Sequence, residues 1–301
     1  MKPAWFKYAM NAALLILWVG VFTKFAVADE RQILLDNGTY QIPVIVNTPA
    51  TKGPAPLVLM LHGTAGQKNE VGNLYQRLAE RLAAQGIASA RFDFAGTGDS
   101  PVDYRYYTLT SAVGDAQTVL RYCLDLTAID GERVGVVGFS QGGLIAQLLV
   151  TDPATPSAIK VLAGWSSMTG NGVSSFADFY QTYYPEAKRN GVASVKFEWR
   201  DAPLNFSRQW FEELAANTSF DRMRDYQGQL LLIAGGADDV VTPQHSVALQ
   251  QAATNAKTEL HIVEGANHLF NVIGAGDSLN PDQTKAEQLL QLTQDWFQRQ
   301  L

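Results

Sequence analysis

Apolar residues recur along the chain with two different periods. Leu57–Leu61, Val134–Val137 and Leu230–Ala234 are short uninterrupted apolar runs, the pattern of strands buried on both faces of a sheet. Ile87–Asp93, Ile159–Ala163 and Glu259–Val263 read as further strands. Between them apolar positions take helical spacing, as at Leu74, Leu78 and Leu82 within Asn73–Gln85. Helices are likewise expected over Thr110–Leu126, from Ser140 to about Val150, from about Pro243 to Ala256 and from about Asp282 to Gln300. Residues 31–48 alternate as two strands around the hairpin turn Asp36-Asn37-Gly38. Strands alternating with helices predict an α/β fold, a mostly parallel sheet with helices on both faces.

From Gly164 to about Arg224 this alternation stops and aromatic residues crowd in. Val195, Phe197 and Trp199 alternate like a strand, and Phe206, Trp210 and Leu214 share a helical face. The segment reads as a lid inserted over the end of the sheet, dividing the core into residues 29–163 and 226–301 around an insertion at 164–225. Its aromatic residues have two readings: they take a planar or apolar substrate group, or they cover apolar sheet ends.

Residues 1–28 stand apart. Lys2 and Lys7 precede an apolar run from Ala12 to Phe22, and Ala26-Val27-Ala28 matches a small-x-small cleavage site. That is a secretory signal-peptide pattern, and the run is shorter than the roughly 20 residues that span a bilayer. An exported protein, periplasmic or secreted and without stable membrane association after cleavage, is expected; an uncleaved membrane anchor is the alternative. A net charge of −6 argues against a nucleic-acid partner. The single cysteine, Cys123, excludes an intramolecular disulfide and lies on an apolar helical face, where a buried inert thiol is expected.

Candidate chemistry centres on Val134-Gly135-Val136-Val137-Gly138-Phe139-Ser140-Gln141-Gly142-Gly143. A strand, a Gly-x-Ser-x-Gly corner and a helix form the nucleophile-elbow pattern, although an ordinary strand-to-helix turn can share it. A serine hydroxyl needs a base, and the base needs an orienting carboxylate. Of the four histidines, His268 follows the last core strand in a loop, where α/β sheets place active groups. His62 leads a glycine turn, His245 opens a helix and His261 lies in a strand, all with structural or solvated readings. In Gly235-Gly236-Ala237-Asp238-Asp239, Asp238 is the preferred acid and Asp239 the alternative. The Gln141 N–H, and most simply the Thr64 N–H, are the candidate oxyanion donors. No Cys/His spacing suits a metal, and no cofactor is implied.

With these residues in hand, the chain resembles the α/β-hydrolase superfamily. Leu61-His62-Gly63-Thr64, Arg91 to Ser100, Gly138 to Gly143, Gly235 to Pro243 and Glu264 to His268 match its motifs in order. Within it the chain is most similar to cinnamoyl/feruloyl esterases and serine-aminopeptidase-type hydrolases. The resemblance implies Ser140, Asp238 and His268 as catalytic triad and Thr64 and Gln141 as oxyanion hole. Two departures are Thr64, where a large apolar residue is usual, and Ala95, where Arg or Asn is usual.

The expected activity is that of a serine carboxylesterase acting on a small-molecule ester through an acyl-enzyme. A peptidase is the second reading. It needs a lid carboxylate to hold a substrate amine, with Asp178, Glu186, Glu198, Asp201, Glu212 and Glu213 as candidates. The third reading is a non-catalytic binding protein, which has no use for all three triad residues.

Overall fold

The computed structural model describes residues 29–156, 159–198, 200–274, 276 and 278–301, so the expected export segment lies outside the described residues. The chain enters through an antiparallel pair, β1 (Asp29–Asp36) and β2 (Gln41–Thr48), joined at the expected turn. β3 (Ala55–Leu61), α1 (Leu74–Ala84), β4 (Ala88–Phe92), α2 (Leu109–Leu124), β5 (Ile129–Phe139), α3 (Gln141–Val150) and β6 (Ile159–Trp165) follow. After an insertion come β9 (Gln229–Gly235), α7 (Pro243–Ala252), β10 (Lys257–Val263) and α8 (Thr284–Gln300). The eight-stranded sheet has the order β1-β2-β4-β3-β5-β6-β9-β10; β2 pairs antiparallel with β1 and β4, and the remaining pairs are parallel.

Alternation along each strand divides the core between the two faces of the sheet. Leu57, Leu59 and Leu61 of β3 join one cluster with Leu120 of α2 and Ile145 of α3. Val58 and Met60 join the other, with Leu78 of α1 and Leu289 and Phe297 of α8. Every residue of β3 is buried, as a continuous apolar run requires when both faces are covered. Cys123 is fully buried among these side chains, and burial pushes its thiol up to about 12. It is therefore neutral and inert.

The insertion between β6 and β9 contains α4 (Ala177–Asn190), the antiparallel pair β7 (Val192–Val195) and β8 (Leu204–Ser207), α5 (Arg208–Ala215) and the single turn α6 (Ser219–Arg222). Three expectations change here. The strand ends at Val195, so Phe197 follows it and Trp199 lies outside the described residues. Phe206 belongs to β8 and only Trp210 and Leu214 to the helix, though all three are buried together. Trp165 completes β6, packs at a tilt against Tyr75 with ring centroids 5.3 Å apart and donates its indole N–H to Thr293 of α8 at 2.9 Å. It is a core residue of the sheet, not part of the insertion.

Candidate active site

The loops after β3, β5, β9 and β10 meet at one end of the sheet. Ser140 occupies the corner between β5 and α3 with φ 53° and ψ −119°, a strained conformation for a residue with a side chain. Two close approaches make the corner possible. A Cβ at Gly138 would meet the Gly142 carbonyl oxygen at 2.3 Å, and one at Gly142 would meet the Leu61 carbonyl oxygen at 2.0 Å. The strain turns the Ser140 hydroxyl away from its own strand and toward the β10 loop, where His268 Nε2 lies 3.1 Å from Oγ.

The other ring nitrogen, Nδ1, is 2.8 Å from Oδ2 of Asp238. Asp238 stands three residues past the end of β9, its side chain fully buried. Its Oδ1 accepts from the Val240 and Val241 amides at 2.9 and 2.8 Å. Burial alone raises a carboxyl pKa, but the His268 hydrogen bond and charge, with the Val241 amide, outweigh it and hold Asp238 below its ordinary range. Asp238 is therefore an acceptor only, which places the proton on Nδ1 and leaves Nε2 free to accept the serine proton. Asp239, the alternative acid, is exposed.

The remaining histidines lie elsewhere. His62 is buried, and burial pushes its pKa down to about 4. Nδ1 lies 2.8 Å from the Gly63 carbonyl and so carries the hydrogen, while Nε2 accepts from the Phe94 amide at 3.2 Å. This ring ties the β3 turn to the β4 turn. His245 is 3.2 Å from the Thr169 carbonyl, and the half-exposed His261 faces Glu259 on β10.

Thr64 and Gln141, the expected oxyanion donors, stand beside Ser140. The Thr64 hydroxyl donates to Gln141 Oε1 at 2.8 Å, joining the two turns that carry the candidate donors. Neither backbone N–H is used by another described residue. Gln141 is the first residue of α3, where unpaired amides and the helix dipole favour negative charge.

The turn carrying Thr64 is held by a residue that sequence reasoning passed over. Glu70 is buried with φ 59° and ψ 173°, a region nearly reserved for glycine. Its Oε2 accepts from the Gly63 amide at 2.8 Å and its Oε1 from the Val71 amide at 2.9 Å. Burial raises its pKa, and those two amides only partly offset this. In sequence a lone Glu in a Gly/Gln/Lys/Asn loop reads as solvated, so no signal marked it. Lys68, two residues earlier, bridges Asp93 and Asp99, both at 2.6 Å. A Cβ at Gly98 would strike the Asp93 carboxylate at 2.2 Å, which accounts for a glycine in the Arg91–Ser100 stretch.

A cavity of about 880 Å3 opens over Ser140 and His268. Phe176, Phe179 and Phe197 of the insertion line it, whereas Phe206, Trp210 and Phe211 are fully buried beneath them. Phe179 packs on Phe206 at 5.0 Å, and Phe206 on Trp210 at 4.9 Å. The aromatic residues of the insertion thus divide between cavity lining and buried packing. Asp178, Glu186, Glu198, Asp201, Glu212 and Glu213 are absent from the cavity lining; the charged residue that the insertion contributes is Arg200. Among the described residues no three His, Cys, Asp or Glu side chains are grouped as metal ligands.

A model of the alpha/beta hydrolase family matches residues 58–277. Over 121 residues the chain is 33% identical to a 2,6-dihydropseudooxynicotine hydrolase of Paenarthrobacter nicotinovorans, covering 38% of this chain and 29% of that protein. It is 25% identical over 217 residues to an uncharacterised protein of Mycobacterium tuberculosis, covering 72% of this chain and 64% of the relative. The chain therefore spans less than two thirds of each of these relatives. Among solved structures, Est1E from Butyrivibrio proteoclasticus with bound ferulic acid superposes with a TM-score of 0.71 at 19% identity, over 89% of this chain and 98% of that one.

Proposed function

Because the chain belongs to the alpha/beta hydrolase family, we propose that it is a serine carboxylesterase working through an acyl-enzyme. The observation that carries this reading is the hydrogen-bonded row Ser140 Oγ, His268 Nε2 and Nδ1, Asp238 Oδ2, at 3.1 and 2.8 Å. In the mechanism it supports, His268 takes the hydroxyl proton as Ser140 Oγ attacks the ester carbonyl. Thr64 and Gln141 N–H receive the developing oxyanion, and Asp238 stabilises the imidazolium. His268 then protonates the departing alkoxide, and the acyl group stays on Ser140. A water that gives its proton to His268 attacks that ester, and the acid leaves.

The phenylalanine-lined cavity favours an aromatic or apolar acyl group, by area burial and ring stacking. The Est1E structure, which holds ferulic acid, is consistent with such a group here. A panel of methyl ferulate, 4-nitrophenyl butyrate and aminoacyl 4-nitroanilides tests the reading. Turnover of the esters with little of the anilides is expected; the reverse order overturns it.

In the same reading Glu70 fixes the oxyanion turn through the Gly63 amide. Glu70→Ala is expected to lower kcat by about 10- to 100-fold, somewhat below the loss of an oxyanion donor itself. KM should change little, because ground-state contacts remain. Glu70→Gln, whose one accepting oxygen can meet the Gly63 amide while its NH2 faces the Val71 amide, should recover only part of the rate. Steady-state kinetics on 4-nitrophenyl butyrate read both parameters.

Export is also part of the proposal. N-terminal sequencing of protein from the exported fraction is expected to begin at Asp29, whereas an intact Met1 would indicate a retained anchor.

A further inference from the structure

We propose that Arg200 anchors a negatively charged group at the far end of an otherwise apolar acyl chain, so that half-esters of dicarboxylic acids are preferred to the corresponding neutral diesters. The proposal rests on the esterase reading and adds the substrate class. Arg200 reaches the cavity from the connection between β7 and β8. Its Nη1 donates to the Ala65 carbonyl at 3.2 Å, and its Nε is buried without an acceptor. Among the described residues no carboxylate lies within ion-pair distance of it. A guanidinium stays charged at every working pH, and holding that charge partly out of water without a counter-charge is costly. A ligand carboxylate entering the cavity supplies the counter-charge at the Nη end of the guanidinium, since Nε has no accessible surface.

The side chain is also pre-positioned for this. The Lys196 ammonium donates to the carbonyls of Arg200 and Asp201, and the Arg200 amide donates to the Phe197 carbonyl at 3.2 Å. The connection is thereby braced, and less ordering remains for binding to impose. Glu70, a carboxylate that lines the same cavity, spends its oxygens on the Gly63 and Val71 amides and forms no ion pair with Arg200.

Arg200 bonds the Ala65 carbonyl, in the same turn that carries Thr64, so the guanidinium and the candidate oxyanion donor share one rim of the cavity. A planar guanidinium fits a carboxylate with two parallel hydrogen bonds, a geometry that lysine does not reproduce.

The test compares kcat/KM for 4-nitrophenyl hydrogen glutarate with that for its neutral methyl ester, in wild type, Arg200→Gln and Arg200→Lys. Wild type should favour the anion. Arg200→Gln should lower the anion-to-neutral ratio by about 30-fold, mainly through KM, within the range for hydrogen bonds to charged groups. Arg200→Lys should fall between. An unchanged ratio overturns the proposal, including the case where both rates drop together because Arg200 merely latches the Ala65 turn.

Absence of Ser140-dependent turnover of either ester would instead count against the esterase reading. In that event binding decides. Ser140→Ala protein should bind monomethyl glutarate more tightly than dimethyl glutarate by calorimetric titration, and lose that preference with Arg200→Gln. Equal affinities overturn the anion site.

Discussion

Ser140→Ala is expected to lower kcat for 4-nitrophenyl esters by about a million-fold, the size of loss seen when the nucleophile of such a unit is removed. The substitution deletes one oxygen and leaves the rest of the corner unchanged. The methyl group that replaces the hydroxymethyl keeps the same Cβ, so the strain at φ 53° is neither relieved nor increased. His268 and Asp238 remain paired, and the oxyanion donors remain in place. What is lost is the bond-forming atom alone. The residual rate should be that of water attacking a polarised carbonyl, still about 10³-fold above solution. Initial rates over a wide enzyme range measure it, with a melting curve to show that the fold persists. Loss of only a few-fold would mean that Ser140 is not the attacking group.

Asp238→Asn is expected to cost about 10⁴-fold in kcat with KM nearly unchanged. The reason is the tautomer rather than the charge alone. Asp238 Oδ2 accepts from Nδ1, which commits Nε2 to accept from Ser140. An asparagine can satisfy the Val240 and Val241 amides through its oxygen, and its NH2 then faces Nδ1. The imidazole answers by moving its hydrogen to Nε2, where it blocks proton removal from the serine. Asp239→Asn, on an exposed neighbour, is the control and should stay within a few-fold of wild type. Comparable losses for the two substitutions would overturn the assignment of the acid.

Much of this arrangement was legible before any coordinates. Buried parallel strands announce themselves as apolar runs, and the active loops follow their C-terminal ends. Ser140 and His268 could therefore be nominated from strand, turn and chain order. The candidate acid was harder to choose, because Asp238 and Asp239 differ by one residue at the end of a strand and only the turn geometry buries one and exposes the other.

The insertion was less legible. No helix was expected over α4, although Phe179, Tyr180, Tyr183 and Tyr184 recur there at helical spacing, because Pro185 within it interrupts the propensity signal. Phe206 sat at helical distance from Trp210 yet belongs to β8, since packing against Trp210 at 4.9 Å is satisfied from a strand as well as from a helix. Glu70 and Arg200 were invisible for a different reason. The Glu70 contacts run to backbone amides and Arg200 stands out by lacking a counter-charge, and neither leaves a mark in residue type or spacing.

The central claim is that Ser140 becomes covalently acylated with His268 as its base. Treatment with a fluorophosphonate, followed by intact-mass measurement and peptide mapping, tests it most directly. One stoichiometric adduct on the peptide containing Ser140 is predicted, forming at least a thousandfold more slowly in His268→Ala, since about 10⁴–10⁶-fold in rate is lost when a unit of this kind loses a member. An unlabelled protein, an adduct on another residue, or labelling at the same rate without the imidazole would contradict it.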